Sequence, residues 1–520
     1  MDKHYVDYKA FIKQDLSASI VVFLVALPLC LGIALASGAP LISGLLAGIV
    51  GGLIVSWLSG SQLSVSGPAA GLTIIVFNAI EQLGSYSAFL VSVVLAGVIQ
   101  FILGYLRAGA IGAFFPSSVI KGMLAAIGLI LIIKQLPHAV GYDISYLGDE
   151  SYMNETASSS FHNIFRAFES ISLGSILVTA VALFILVLWE SPAIKRNNLL
   201  SFIPSPLLAV CWGILFNLFA SNQFPEYSIS KKHLVSLPPI QDASQLLGLL
   251  KFPDFSFLDH PQIYTVALTL AIIASLETLL SLEAVDKLDP LKRTAPTNRE
   301  LKAQGVGNMI SGLIGGLPVT AVIVRSSANI NAGGRTKLAC FLHGVLLLLS
   351  ILFFTRLINQ VPLACLAAIL LQTGYKLAKP QTFISLYQQG MNQFLPFLIT
   401  IVAILATDLL QGVLLGICVG MFFVVKSNFH EAFSLHKNHE HYTLTLHKDV
   451  SFLNKYVLRQ ALQAIEDDSI LVIDASRAKF IDFDIMEMIE DFRKSAPEKG
   501  IKVEFFGLLN NRLLDDLKSE

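Results

Sequence analysis

The chain is 520 residues long, 54% hydrophobic and only 14% charged, with a formal net charge of −1. A mean hydropathy of +0.67 lies outside the balance of ordinary soluble domains, and a near-neutral chain offers no basic field for nucleic acid. The composition is that of a polytopic α-helical membrane protein.

The N-terminal segment 1–15, "MDKHYVDYKAFIKQD", mixes both charges and lacks a signal-peptide pattern, so the first apolar run is expected to stay in the mature protein. Apolar segments long enough to span a bilayer then recur over 16–427. In a first repeat, 16–220, they are expected near 16–37, 41–58, 67–82, 87–106, 116–136, 171–190 and 199–220. In a second repeat, 262–427, they fall near 262–285, 301–316, 318–332, 337–358, 362–378, 393–408 and 410–427. With the N-terminus taken as cytoplasmic, the inside loops carry Arg107, Lys195, Arg196, Lys292, Arg293 and Lys376, among others. The long outside loop 137–170 has Arg166 as its only Lys or Arg, whereas 221–260, with Lys231, Lys232 and Lys251, fits less well. The bias follows the positive-inside rule and puts both termini in the cytoplasm.

Two spans in matching positions are interrupted. The third opens with "SVSGPAAG" (Ser64–Gly71) and the tenth with "GGLPVTAV" (Gly315–Val322). In each, small residues precede a proline, Pro68 or Pro318, which is expected at the first helical turn, where its missing N–H costs nothing. Paired interruptions in corresponding halves point to an inverted-repeat transporter with a site near the midplane. If the two half-helices meet head to head, their unpaired N–H groups and positive dipole ends converge on one point and suit an anion. Ser66 and Thr320 would offer hydroxyl donors there, beside Val319, and small residues at Gly67, Ala69, Ala70 and Ala321 would let the anion approach the backbone.

Arg325 lies seven residues past Pro318, about two turns and ~10 Å along a helix that starts at the proline. An intramembrane arginine supplies positive potential to an anion, or braces the repeats by pairing with a carboxylate or carbonyls. Glu277 falls near the middle of span eight, with Ser281 one turn on and on the same face. A carboxylate at that depth can carry a proton or help hold Na⁺; a structural pair with Arg325 is the alternative. Lys121 and Lys134 in span five read as snorkelling residues, and His343 as a packing residue. The five cysteines stand singly in apolar runs, so no metal or cofactor is expected. No P-loop, nucleophile elbow, HExxH or CxxC occurs, which leaves no case for an enzyme.

Past Lys426 the composition turns soluble. A linker is expected over 428–440. From 441 to 520, short apolar strands such as "SILVIDAS" and "IKVEFFGLL" alternate with helical patterns such as "FIDFDIMEMIEDFRKSA", as in a small α/β domain.

The segment "NRELKAQGVGNMISGLIGGLPVTAVIVRSSANINAGGRTKLA" (Asn298–Ala339) resembles the span nine–ten signature of the sulfate permease (SulP) family of inorganic anion transporters. "SVSGPAAG" resembles that family's third span, and residues 441–520 resemble a STAS domain, so the resemblance covers nearly the whole chain. It implies fourteen spans in a seven-plus-seven inverted repeat, with a core subdomain (spans one to four and eight to eleven) moving like an elevator against a gate. It also implies a homodimer in the bacterial inner membrane, and sulfate or bicarbonate held between the tips of spans three and ten. In family terms Arg325 matches the arginine beside the anion, and Glu277 the acidic residue of span eight. Related proton-coupled sulfate transporters carry glutamate there and Na⁺-coupled bicarbonate transporters aspartate, so H⁺ is favoured over Na⁺. An uncoupled exchanger or channel is the further alternative. Leu29 stands where some members have a polar residue. In bacterial STAS regulators a phosphorylatable serine follows the aspartate of the turn; here Phe483 follows Asp482, and Ser476 is at a different position. The STAS domain is therefore expected to serve dimerisation, trafficking or docking of a cytoplasmic protein.

Overall fold

The computed structural model describes residues 8–110, 116–141, 172–195, 203–238, 248, 250–407, 409–428, 433–438, 441–447, 450, 452–478 and 480–507. Most of the loop 137–170 and the residues past 507 lie outside the described residues. The chain divides into two compact units, Met1–Ser385 with Thr400–Leu414, and Leu386–Ile399 with Leu415–Glu520.

The first unit is a bundle of apolar helices. Span one is helical over Tyr8–Ala36, starting well before residue 16, and spans four and five over Tyr86–Tyr105 and Ser117–Val140. Spans six and seven occupy Leu173–Trp189 and Ser205–Gln223. Spans eight and nine occupy Pro261–Leu288 and Thr297–Leu313, and eleven and twelve Lys337–Phe353 and Leu363–Leu377. Spans four and nine pack backbone to backbone: a Cβ on Gly97 would lie 2.6 Å from the Gly305 carbonyl oxygen, and one on Gly305 as close to Phe101 N. Association in lipid depends on such close approach, because no hydrophobic force separates helix from lipid tail. Span two is α-helical at Leu41–Val50 and π-helical at Gly51–Val55. The wider turn lets Gly51 sit directly on the Ser66 carbonyl, with no room for a Cβ.

Spans three and ten differ from the reading of their prolines. Each begins with a short strand: β1, Ser66–Pro68, and β2, Val319–Ala321, paired antiparallel as Ser66↔Ala321, Gly67↔Thr320 and Pro68↔Val319. The helices start later, through a 3-10 turn at Ala70–Leu72 into Thr73–Leu83, and at Ile323–Asn331. Pro68 ends β1 and Pro318 precedes β2, so neither is in a first helical turn. Non-helical backbone deep in a membrane must find partners within the protein. Each interrupted segment finds them in its symmetry mate. The glycine pair before Pro318 belongs to span nine instead: Gly315 takes φ +88°, and the Gly316 N–H donates to the Ser311 carbonyl (2.7 Å), closing that helix.

In the second unit a four-stranded sheet runs β3 (Phe433–Asn438), β4 (His441–Leu446), β5 (Ile470–Asp474), β6 (Lys502–Phe506) in that spatial order. β3 and β4 are antiparallel; β4–β5 and β5–β6 are parallel. Helices Lys455–Gln463 and Phe483–Ser495 contribute Leu458 and Ile485 to a core with Leu444, Leu471 and Ile473. This small sheet-and-helix domain is compatible with the resemblance to a STAS domain. Asp482 caps the second helix, its side chain accepting from the Asp484 N–H, and Phe483 is 79% exposed. Ser476 hydrogen bonds from its side chain and its backbone hold the Asp474 carboxyl below the usual carboxylate range.

The range expected as a linker, 428–440, contains β3, whose Phe433 and Leu435 pack against the core. Its alternation of apolar and polar residues is too short to stand out beside the spanning segment before it. Truncation after Asn428 should therefore yield a monodisperse membrane domain in detergent size-exclusion chromatography, whereas truncation at 440 should aggregate through an unpaired edge strand. Equal behaviour of the two would remove β3 from the domain.

Candidate functional site

The β1–β2 ribbon is held from spans eight and nine. The Val319 N–H donates to Asn308 Oδ1 (2.5 Å), and Asn308 Nδ2 donates to the Val319 carbonyl (3.0 Å) and to Gln100 Oε1 (2.6 Å). The Ala321 N–H donates to Thr278 Oγ1 (3.3 Å). Ser66 Oγ accepts from Gln304 Nε2 (2.7 Å), which also donates to Glu300 Oε1 (2.9 Å). Ser66, Gly67, Ala69, Val319, Thr320 and Ala321 are all buried, and among the described residues Thr320 Oγ1 donates to the Ala321 carbonyl alone, at 3.4 Å. The residues read from sequence as the surface of an anion cradle are thus buried within the ribbon and around it. Ala70, half-buried, and Val322 and Ile323 flank the true helix starts.

Because the span ten helix begins at Ile323, Arg325 lies in its first turn and not two turns along it. Its side chain is fully buried. Nη2 donates to the Pro68 carbonyl (3.4 Å), Cys30 Sγ lies alongside, and a Cβ on Gly67 would overlap Nη1. Nε and Nη1 have no hydrogen-bond partner, and no ion pair to Arg325 forms among the described residues. A buried guanidinium without a counter-charge costs several kcal/mol, and among the described residues no carboxylate offsets this one.

Glu277 does not supply the counter-charge. Its carboxylate lies over Gly71, where a Cβ would come within 2.7 Å of Oε1 and 2.8 Å of Oε2. The Gly71 N–H donates to it, while Oε2 has no partner. Gly71 belongs to the 3-10 turn that opens span three, so the carboxylate sits at the positive end of that half-helix. The structural pair between Glu277 and Arg325 is absent. Ser281 is buried one turn further along span eight.

A cavity of about 490 Å³ runs along the span ten helix, lined by its residues from Ala332 to Val324. Leu29, Val324 and Ser327 from spans one and ten line one wall, and Trp189, Gln372 and Lys376 from spans six and twelve the other. Span six runs from Ser172, whose N–H bonds the Val140 carbonyl (3.0 Å) at the end of span five, to Trp189 in the cavity. The far end of the bundle is thus where Lys134 Nζ sits 3.1 Å above the Phe77 ring, joining spans five and three. Lys134 is held by a cation–π contact and is not simply snorkelling. His343 is fully buried, with Nδ1 3.0 Å from the Cys340 carbonyl oxygen and Nε2 without a hydrogen-bond partner among the described residues.

The sequence reading passed over Gly71, Thr278, Gln304 and Asn308. Gly71 closes the "SVSGPAAG" motif, and its missing Cβ was the available signal. Gln304 and Asn308 stand four apart, on one face of a helix otherwise rich in small residues.

Residues 12–403 match the sulfate permease family. The chain is 27% identical over 442 residues to the putative sulfate transporter YvdB of Bacillus subtilis, covering 84% of this chain and 78% of that protein. It is 28% identical over 373 residues to the bicarbonate transporter BicA of Picosynechococcus, covering 70% and 61%. Among solved structures, that of SLC26A9 superposes with a TM-score of 0.76 at 17% identity, covering 96% of this chain and 84% of the other. The transmembrane domain of a cyanobacterial BicA gives 0.62 at 22% identity, covering 80% and 98%. At these identities the structures speak to the fold.

Proposed function

The chain belongs to the sulfate permease family, and on that premise we propose that it carries sulfate or bicarbonate across the bacterial inner membrane by proton-coupled symport. The observation that carries this reading is the buried, uncompensated Arg325 beside two paired half-helix starts. The anion binds between Ala70–Gly71 and Val322–Ile323, with Arg325 behind them, and Ser66, Gly67, Ala69, Val319, Thr320 and Ala321 hold the frame. Glu277, seconded by Ser281, carries the proton. Its position on Gly71 supports a direct form of coupling: the ionised carboxylate competes for the positive helix end, and protonation releases that end to the anion.

Movement is of the elevator type, the core of spans one to four and eight to eleven sliding against the gate. Support comes from the cavity, which has core residues on one wall and gate residues on the other, and from the Lys134–Phe77 contact at the far end. In this reading both termini are cytoplasmic, the cavity opens to the cytoplasm, and the C-terminal domain serves dimerisation or docking of a cytoplasmic partner. A second reading is Na⁺-coupled bicarbonate symport, whose substrate, though not its coupling ion, is supported by the likeness to the bicarbonate transporter BicA. Proteoliposomes holding the full chain, offered radiolabelled sulfate or bicarbonate under imposed H⁺ or Na⁺ gradients, separate the two. Accumulation driven by inward H⁺ is the expected result. Accumulation only with Na⁺ supports the second reading, and equilibration without accumulation in either gradient overturns coupling altogether.

A further inference from the structure

Among the described residues, the cavity wall carries one cation and one acid, Lys376 at the end of span twelve and Glu190 just past the end of span six. They form an ion pair, with side chains 35% and 40% exposed. Glu190 Oε1 also accepts from Gln372 Nε2 (3.2 Å), which is itself tied to the Leu186 carbonyl (3.0 Å). Glu190 is therefore held in place by the gate, while Lys376 has the freedom of a four-carbon stem. Opposite them the span ten helix presents Asn331, Ser327 and Val324 to the cavity. From Asn331 to Val324 is seven residues, or about 10 Å of helix, ending at the turn that carries Arg325. Among the described residues, Lys376 is the one ammonium that an anion using this cavity passes on its way toward Val324, next to Arg325 in sequence.

We propose that Lys376 is a peripheral station for the transported oxyanion, and that Glu190 competes with the anion for it. The inference rests on the reading above that the cavity leads to an anion site. The ion pair holds the station neutral at rest; an arriving oxyanion exchanges for the Glu190 carboxylate on the ammonium and then moves inward. A half-exposed pair of this kind contributes little to stability, so variants at either position should fold.

A brace and a station differ in the sign of two substitutions. Glu190→Gln keeps an acceptor for Gln372 but removes the competing charge, so KM for sulfate or bicarbonate uptake through the cavity side should fall about threefold, the effect of one charge several ångströms away in water. Lys376→Gln should raise KM by a similar factor. Both shifts should lie in KM more than in kcat and shrink as ionic strength is raised with an untransported salt. Detergent size-exclusion chromatography checks that both variants are folded. Shifts in the same direction make the pair a brace and overturn the station. No shift in either variant, while Arg325→Ala still weakens anion binding, also overturns it but leaves the deeper site standing. If Arg325→Ala has no effect either, the site reading itself has failed.

Discussion

Replacing Glu277 with glutamine is expected to abolish proton-driven anion accumulation while leaving anion counterflow largely intact. Glutamine has the shape of the protonated acid, and its carbonyl can still accept the Gly71 N–H, so the frame around spans three and eight survives. What disappears is the ionised state that competes for the helix end. In a one-to-one symport a gradient of about one pH unit is worth about 1.4 kcal/mol and sustains about tenfold accumulation. In the Glu277→Gln variant that ratio should fall to unity, while exchange of labelled for unlabelled anion persists. Retained pH-driven accumulation would move the coupling proton elsewhere. Loss of counterflow as well would make Glu277 part of the anion site and not of the coupling.

Arg325→Ala should weaken sulfate or bicarbonate binding by about tenfold to a hundredfold, the span of a charge-assisted hydrogen bond. No carboxylate pairs with Arg325 among the described residues, so its removal orphans no buried acid, and thermal stability in detergent should hold or rise. Two companions refine the result. Gly67→Ala keeps the charge but forces the guanidinium away, because the new Cβ overlaps Nη1, and should weaken binding in the same direction. Thr320→Val should matter less, since its hydroxyl is spent on a long contact with the Ala321 carbonyl. Equilibrium binding of the radiolabelled anion reads all three. Unchanged affinity in Arg325→Ala would detach the anion from span ten.

Much of this protein is legible along the chain, because hydropathy and isolated charges are local properties. The spans, the paired interruptions at "SVSGPAAG" and "GGLPVTAV", and the intramembrane Arg325 and Glu277 all stand out from their neighbours without any knowledge of contacts. Only the tertiary structure decided what these residues face. Pro68 and Pro318 looked like helix starts, since the partner that makes them part of a ribbon lies some 250 residues away. Whether Arg325 and Glu277 pair was open along the chain, since opposite charges in an apolar chain can pair; the fold puts one behind Gly67 and the other on Gly71. Lys134 needed Phe77, and Lys376 needed Glu190, from other spans. Sequence records the cost of a polar group in lipid, whereas the group that offsets that cost is chosen by packing between segments far apart in the chain.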